Sequence, residues 1–166
     1  MSRLNSVLRE DKGFTYGANS WIDARKLGTT IIISTTVENS SAIETIRLIF
    51  DQLRKFSTER LDDDEITRAV RYMMGSFARS VESPAQVSAL ISGLDLLNLP
   101  DDYYDHFYRK ISETTTDDVL GSQQKYFNPQ GWTISVCGNV KSFMDELRQF
   151  GSLNVLNEEA MIIETL

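Results

Sequence analysis

Two side chains stand out as able to do chemistry: the guanidinium of Arg9 and the phenol of Tyr16. They lie in the stretch Leu8-Arg9-Glu10-Asp11-Lys12-Gly13-Phe14-Thr15-Tyr16-Gly17. This reads as the end of a helix, a glycine stop and the start of a strand, because Gly13 suits the left-handed residue that closes a helix. At such a junction both long polar tips can reach past a sheet edge, one as a fixed cation and the other as a hydroxyl donor. On spacing alone, structural roles are the simpler reading. An arginine in a last helical turn complements the helix dipole, and a tyrosine near a strand start is ordinary.

The other candidates are weaker. His106 is the single histidine, on a predicted helix with Asp102 and Asp105. One imidazole cannot make a two-histidine zinc site, so a structural role is preferred. Cys137 is the single cysteine and lies in the alternating run Trp132-Thr133-Ile134-Ser135-Val136-Cys137. It reads as a buried structural thiol, with no histidine near it in sequence to make it a nucleophile. One thiol cannot form an internal disulfide, so the redox compartment stays open. The acidic run Leu61-Asp62-Asp63-Asp64-Glu65 lacks the spacing and the glycine of a calcium loop. It is better read as a helix start, with Asp62 as N-cap and Glu65 at the third position. Phosphate-binding glycine loops, a Gly-x-Ser-x-Gly elbow and Cys-x-x-Cys are all missing from the sequence. Acids are many, but nothing marks a catalytic carboxylate pair.

Positioning any of these side chains requires a framework, and 166 residues suffice for one domain with its own core. The net charge of -7, from 17 basic and 24 acidic residues, disfavours nucleic acid as a general partner. No apolar run is long enough to span a membrane, and the first residues carry no apolar signal core.

Periodicity predicts a helix over 2–12, then strands over 14–22 and 28–37 joined as an antiparallel hairpin. On the first strand Phe14, Tyr16, Ala18 and Ile22 share one parity. A helix over 41–56 places Ile43, Ile46, Phe50 and Leu53 inward. The helix from Asp62 to about Val81 turns Ile66, Ala69, Val70, Met73 and Phe77 inward, with Met73-Met74 as core filling. Ser83-Pro84-Ala85-Gln86 is a strong helix start. Further helices follow over 101–111 and from Thr115 to about Phe127, then a turn at Asn128-Pro129-Gln130-Gly131. Residues 132–137 read as a strand. A helix capped by Asn139 is stopped by Gly151, and 153–156 reads as a short strand. Residues 157–166 read as a loose acidic tail with one apolar patch, Met161-Ile162-Ile163. The sum is an α+β arrangement, an antiparallel sheet with helices on one face. So small a sheet beside so many amphipathic helices implies a missing portion or a covering partner.

Ser2-Arg3-Leu4, followed by Leu8-Arg9-Glu10-x-Lys12-Gly13-x-x-Tyr16, resembles the C-terminal, non-zinc-binding domain of the M16 zinc metallopeptidases. That is the insulinase family, which includes insulin-degrading enzyme, pitrilysin and the mitochondrial processing peptidase. The likeness continues at Gly28-Thr29, Leu61-Asp62-Asp63-Asp64-Glu65-Ile66, Val81-Glu82-Ser83-Pro84 and Leu97-Asn98-Leu99-Pro100. It recurs at Thr115-Thr116-Asp117-Asp118-Val119 and Val136-Cys137-Gly138-Asn139, and covers residues 2 to about 156.

The resemblance implies the two-layer LuxS/processing-peptidase-like metallohydrolase fold. Residues 1–156 would be a partial M16 C-terminal domain, truncated at its N-terminal side, and 157–166 an acidic tail. It implies a hydrolase acting on peptide bonds, with zinc held by a His-x-x-Glu-His helix and a distant glutamate in the N-terminal domain. This chain would then hold no cofactor, and zinc would sit in the missing domain or in a partner. Its partners would be the zinc-bearing domain or subunit and a peptide substrate. A homo-oligomer stays open, as do the compartment and the substrate's identity. Arg9 and Tyr16 would be the catalytic residues of this chain, orienting substrate and stabilising the transition state. Alone, the chain would be inactive. The alternative is a non-catalytic M16-like subunit with a peptide-binding or scaffolding role.

Overall fold

Along the computed structural model, which describes residues 2–127 and 131–165, elements alternate as the periodicity predicts, with exceptions in the strands. The order is α1 (Arg3–Asn5, widening into a π-helical stretch Ser6–Asp11), β1 (Ala18–Arg25), β2 (Gly28–Thr35), α2 (Ala42–Thr58) and α3 (Asp63–Arg79). It continues with α4 (Pro84–Leu97), α5 (Tyr103–Ser112), α6 (Thr116–Tyr126), α7 (Met144–Leu147), β3 (Asn154–Leu156) and β4 (Ile162–Thr165). Side-chain caps start several helices where the sequence puts them. Asp62 accepts from the Glu65 N–H at 2.6 Å. Ser83 with Gln86, and Thr115 with Asp118, close full capping boxes. Each supplies a partner to backbone donors that helix geometry leaves over. The predicted turn at Asn128-Pro129-Gln130 lies outside the described residues.

The chain divides into two compact units. The first takes Met1–Asn19, Ser34–Gln52 and Gln130–Leu166. Its core is Ala42 and Ile43 of α2 against Phe143 and Leu147, with Val37, Ile46, Val140, Phe150 and Leu153 packed around them. Phe50 stacks on Phe150 with ring centroids 6.4 Å apart. The second unit takes Ser20–Ile33 and Leu53–Pro129. There α3 and α5 meet through Phe77, whose ring lies 5.6 Å from Tyr104 and 4.9 Å from Phe107. Gln123 of α6, 1% exposed, donates its amide to the Phe56 carbonyl at 2.7 Å, at the end of α2.

The α+β composition and antiparallel pairing stand, but the described residues form two separate two-stranded sheets, β1–β2 and β3–β4, rather than one. Residues 132–137, expected as a strand, are irregular despite their alternation. Alternation makes a strand only where a neighbour takes up the backbone hydrogen bonds. Cys137 is accordingly exposed, not buried. β1 begins at Ala18 rather than residue 14, and of the parity set only Ala18 is buried, while Ile22 is 68% exposed. Met73 is also exposed, contrary to the core role expected of it. The helix expected after Asn139 is broken into two 3-10 turns flanking α7, with Phe143 and Leu147 buried.

The segment read as a loose tail instead returns as β4. Asn154 pairs with Thr165, Val155 with Glu164 and Leu156 with Ile162, with a bulge between Val155 and Leu156. Asn157 builds the turn: its side-chain oxygen accepts from the Glu159 and Met161 N–H groups at 3.0 and 2.9 Å. Such side-chain acceptance is how asparagine favours turns.

Candidate functional site

The segment from Asn5 to Ala18 is a loop tied at its base, and Arg9 and Tyr16 both rise from it. The Asn5 amide pairs with both backbone groups of Ala18, its nitrogen donating to the carbonyl and its oxygen accepting from the N–H, each at 2.8 Å. This copies a backbone pair between neighbouring strands with a side chain. Leu8, 0% exposed, fills the inside of the loop. Its carbonyl accepts from the Phe14 N–H at 2.9 Å, and the Val7 carbonyl accepts from the Lys12 N–H at 3.1 Å. The second bond spans five residues, which widens the helix into a π-turn, a rare form that recurs at functional sites. Gly13 closes it at φ +64, where a Cβ would be strained. Lys12 leaves the turn toward α2 and pairs with Glu44 at 2.7 Å.

Arg9 sits in the last turn of this widened helix, more than half exposed, with its Nε 3.4 Å from Glu10. Tyr16 is fully exposed, at 102%. Its neighbours explain why it stays out. Thr15 Oγ1 accepts from the Gly17 N–H at 3.1 Å, a local side-chain turn. The Thr15 and Thr35 hydroxyls lie 3.0 Å apart, and both reach the Gly17 carbonyl, at 3.0 and 3.1 Å. Tyr16 is thus the tip of a turn tied on both sides. Among the described residues no contact joins the guanidinium to the phenol. One loop carries both donors to the surface, where the Tyr16 phenol is fully exposed and the Arg9 guanidinium is paired only with its neighbour Glu10 among the described residues.

The remaining candidates do not gather. His106 on α5 pairs with Asp102 one turn away at 3.3 Å. Cys137 stands alone. Among the described residues no group of three or more His, Cys, Asp or Glu is placed to hold a metal ion. The M16 resemblance implies zinc outside this chain, and no reaction step is assigned to a metal here. No helix among the described residues is long and apolar enough to cross a membrane. An open apolar cleft of about 580 Å³ is lined by Val81, Pro84, Val87 and Ile91, and does not include Arg9 or Tyr16.

Comparison with known proteins bears on the loop directly. Residues 1–73 match the family model of the peptidase M16 inactive domain. That match takes in the whole tied loop, both sheet strands of the first hairpin and α2. A crystal structure of a peptidase M16 inactive domain from Pseudomonas fluorescens is similar with a TM-score of 0.70 at 26% identity. The similarity covers 77% of this chain and 30% of that one, so the chain spans less than a third of that neighbour. No curated protein matches. The two likenesses support an M16 C-terminal domain.

Asn5 and Thr35 are the site-building residues that the sequence reading missed. Both act over long sequence separations, Asn5 thirteen residues from its partner and Thr35 eighteen from the Gly17 carbonyl. An asparagine inside a helix, where its propensity is poor, was the one signal that could have pointed to the first.

Proposed function

We propose that the chain is the C-terminal, non-zinc-binding part of an M16-type zinc endopeptidase. Arg9 and Tyr16 bind the carbonyl of a peptide substrate and stabilise the oxyanion it becomes. One observation carries this reading. The Tyr16 phenol is fully exposed on a loop closed at its base, and Arg9 rises from the same loop. Polar tips held out from a braced loop suit a surface that another domain covers. Donors fixed before the reaction need no rearrangement as charge develops, and each is worth about 3 kcal/mol in such sites.

In this reading, water is activated by zinc held in another domain or subunit joined to this chain. Closure of the two halves brings the donors to the carbonyl and excludes solvent from around them. The same reading makes residues 1–156 part of a two-layer metallohydrolase domain, with 157–166 an acidic end whose β4 pairs back onto β3. The family's description as inactive favours a second reading, a subunit that binds peptides or scaffolds a complex without turnover.

The test is Tyr16→Phe in the enzyme assembled from this chain and a zinc-binding M16 half. With a quenched-fluorescent peptide, kcat should fall by about 100-fold or more, with zinc content unchanged. Unchanged turnover sinks the catalytic reading, and an assembled complex that binds the peptide but never cleaves it favours the second one.

A further inference from the structure

We infer that Asn5 is a positioning residue for Arg9 and Tyr16, setting where both donors sit through the paired hydrogen bonds of its amide with Ala18. This rests on the catalytic reading of Arg9 and Tyr16 given above. Three features carry it. First, the amide uses its donor and its acceptor on a single residue, at 2.8 Å each, thirteen residues along the chain. A two-point contact fixes orientation as well as distance, which one hydrogen bond cannot do. Second, it closes the loop at its narrowest place. Asn5 is where the α-helical turn gives way to the π-helical stretch that bears Arg9. Ala18 is the first residue of β1, just past the turn that bears Tyr16. The relative placement of the two tips is therefore set at this neck.

Third, the amide's other bond, from Nδ2 to the Ser2 hydroxyl at 2.9 Å, stays within its own helical turn. Ala18 is 4% exposed and Leu8 is 0% exposed, so the apolar filling of the loop is already in place. The Thr15–Thr35 pair ties only the Tyr16 side, through Gly17. The Lys12–Glu44 pair ties only the Arg9 side, and both its charges are half exposed, where such pairs hold weakly. The Asn5 amide is the side chain that spans the two, beside the backbone bond from the Phe14 N–H to the Leu8 carbonyl. Gly17 adds to this. A Cβ there would lie 3.8 Å from Asn5 Oδ1, ordinary contact, so the neck is close-packed but not strained. A misplacement of about 1 Å in a reacting group can cost about 100-fold in rate.

The experiment uses the assembled enzyme and compares Asn5→Ala, Asn5→Asp, Tyr16→Phe and the Asn5→Ala/Tyr16→Phe double variant. Asn5→Asp keeps the acceptor for the Ala18 N–H and loses the donor to its carbonyl. Expected is a fall in kcat of about 10-fold to 100-fold for Asn5→Ala, a smaller fall for Asn5→Asp, and KM within about twofold of the parent. The double variant should be slower than Tyr16→Phe alone by clearly less than the Asn5→Ala factor measured in the parent, because the share of the Asn5 effect that runs through the phenol is already lost while the share through Arg9 remains. A purely structural asparagine would lower the amount of folded enzyme and leave kcat per active site unchanged, which overturns the proposal. Full multiplication of the two single effects overturns it as well. If Asn5→Ala does not fold, Asn5→Asp and its double variant are judged by the same two criteria. Loss of rate in Tyr16→Phe with normal kcat in the Asn5 variants rejects the positioning role alone. Normal kcat in Tyr16→Phe rejects the catalytic reading and the positioning role together.

Discussion

Gln123 offers the sharpest test of how the helical unit is held, since two replacements of similar shape should differ widely in cost. Its side chain is 1% exposed. The amide nitrogen donates to the Phe56 carbonyl at 2.7 Å and more weakly to that of Glu59 at 3.4 Å. Its oxygen has no hydrogen-bond partner among the described residues. Replacing it with methionine loses one hydrogen bond, worth about 1 kcal/mol net, and removes a buried oxygen whose desolvation costs about 1–3 kcal/mol. These terms oppose each other, so Gln123→Met should change stability by less than about 2 kcal/mol in either direction. Gln123→Glu keeps the shape and loses the donor. It faces a carboxylate toward carbonyl oxygens in a buried place, where an unpaired charge costs about 3–5 kcal/mol on top of the lost bond. Urea unfolding followed by far-UV circular dichroism at pH 7.5 and 5.5 would measure both. Burial and the facing carbonyls raise the introduced carboxyl's pKa. Its protonated form can donate to Phe56, so the deficit of Gln123→Glu should be large at pH 7.5 and shrink as pH falls. A Gln123→Glu chain as stable as the parent at pH 7.5, or less stable at pH 5.5 than at 7.5, refutes the reasoning.

Two further expectations concern stability. Phe143→Ala empties the core that Ala42, Ile43 and Leu147 share, and should cost about 3–5 kcal/mol in chemical denaturation; a loss under about 1 kcal/mol means that core does not hold the first unit. The Thr115 hydroxyl and backbone N–H both donate to Asp118 and hold its carboxyl below the usual carboxylate range. Because the folded-state value is depressed, the contribution of this box is complete above the unfolded carboxylate range and is lost as pH falls through the folded-state value. Thr115→Ala should move the Asp118 titration upward in a carboxyl-detected NMR experiment, and no movement removes the box as its cause.

What could be read from the sequence follows how far each interaction reaches along the chain. The caps at Asp62, Ser83 and Thr115 were legible because donor and acceptor are three residues apart. The inward stripe of α2 was legible for the same reason, since helical neighbours recur every three or four residues. The sheets were less so. Residues 132–137 alternate like a strand, yet pairing depends on a distant partner, and among the described residues that stretch forms no strand. The acidic end hid β4 because its composition describes solvation, while its pairing with β3 depends on the Asn157 turn. At the candidate site, Arg9 and Tyr16 could be singled out by type and resemblance. The groups that brace them could not, because Asn5 and Thr35 act across thirteen and eighteen residues.

The π-helical turn at Ser6–Asp11 carries a consequence for how this loop can change. In an α-helix each residue turns the chain by about 100°. The widened turn accommodates one residue more than an α-helical path between the same ends. Deleting one residue from it would restore the ordinary winding and swing whatever lies before the cut by roughly that angle relative to what lies after. Asn5 would then face away from Ala18 while Arg9 kept its place, or the reverse. Substitution leaves the winding alone, so many residue types can be exchanged here. The count of residues between Asn5 and Gly13 cannot drift, and natural variation in this stretch should run to changes of side chain, never to insertions or deletions.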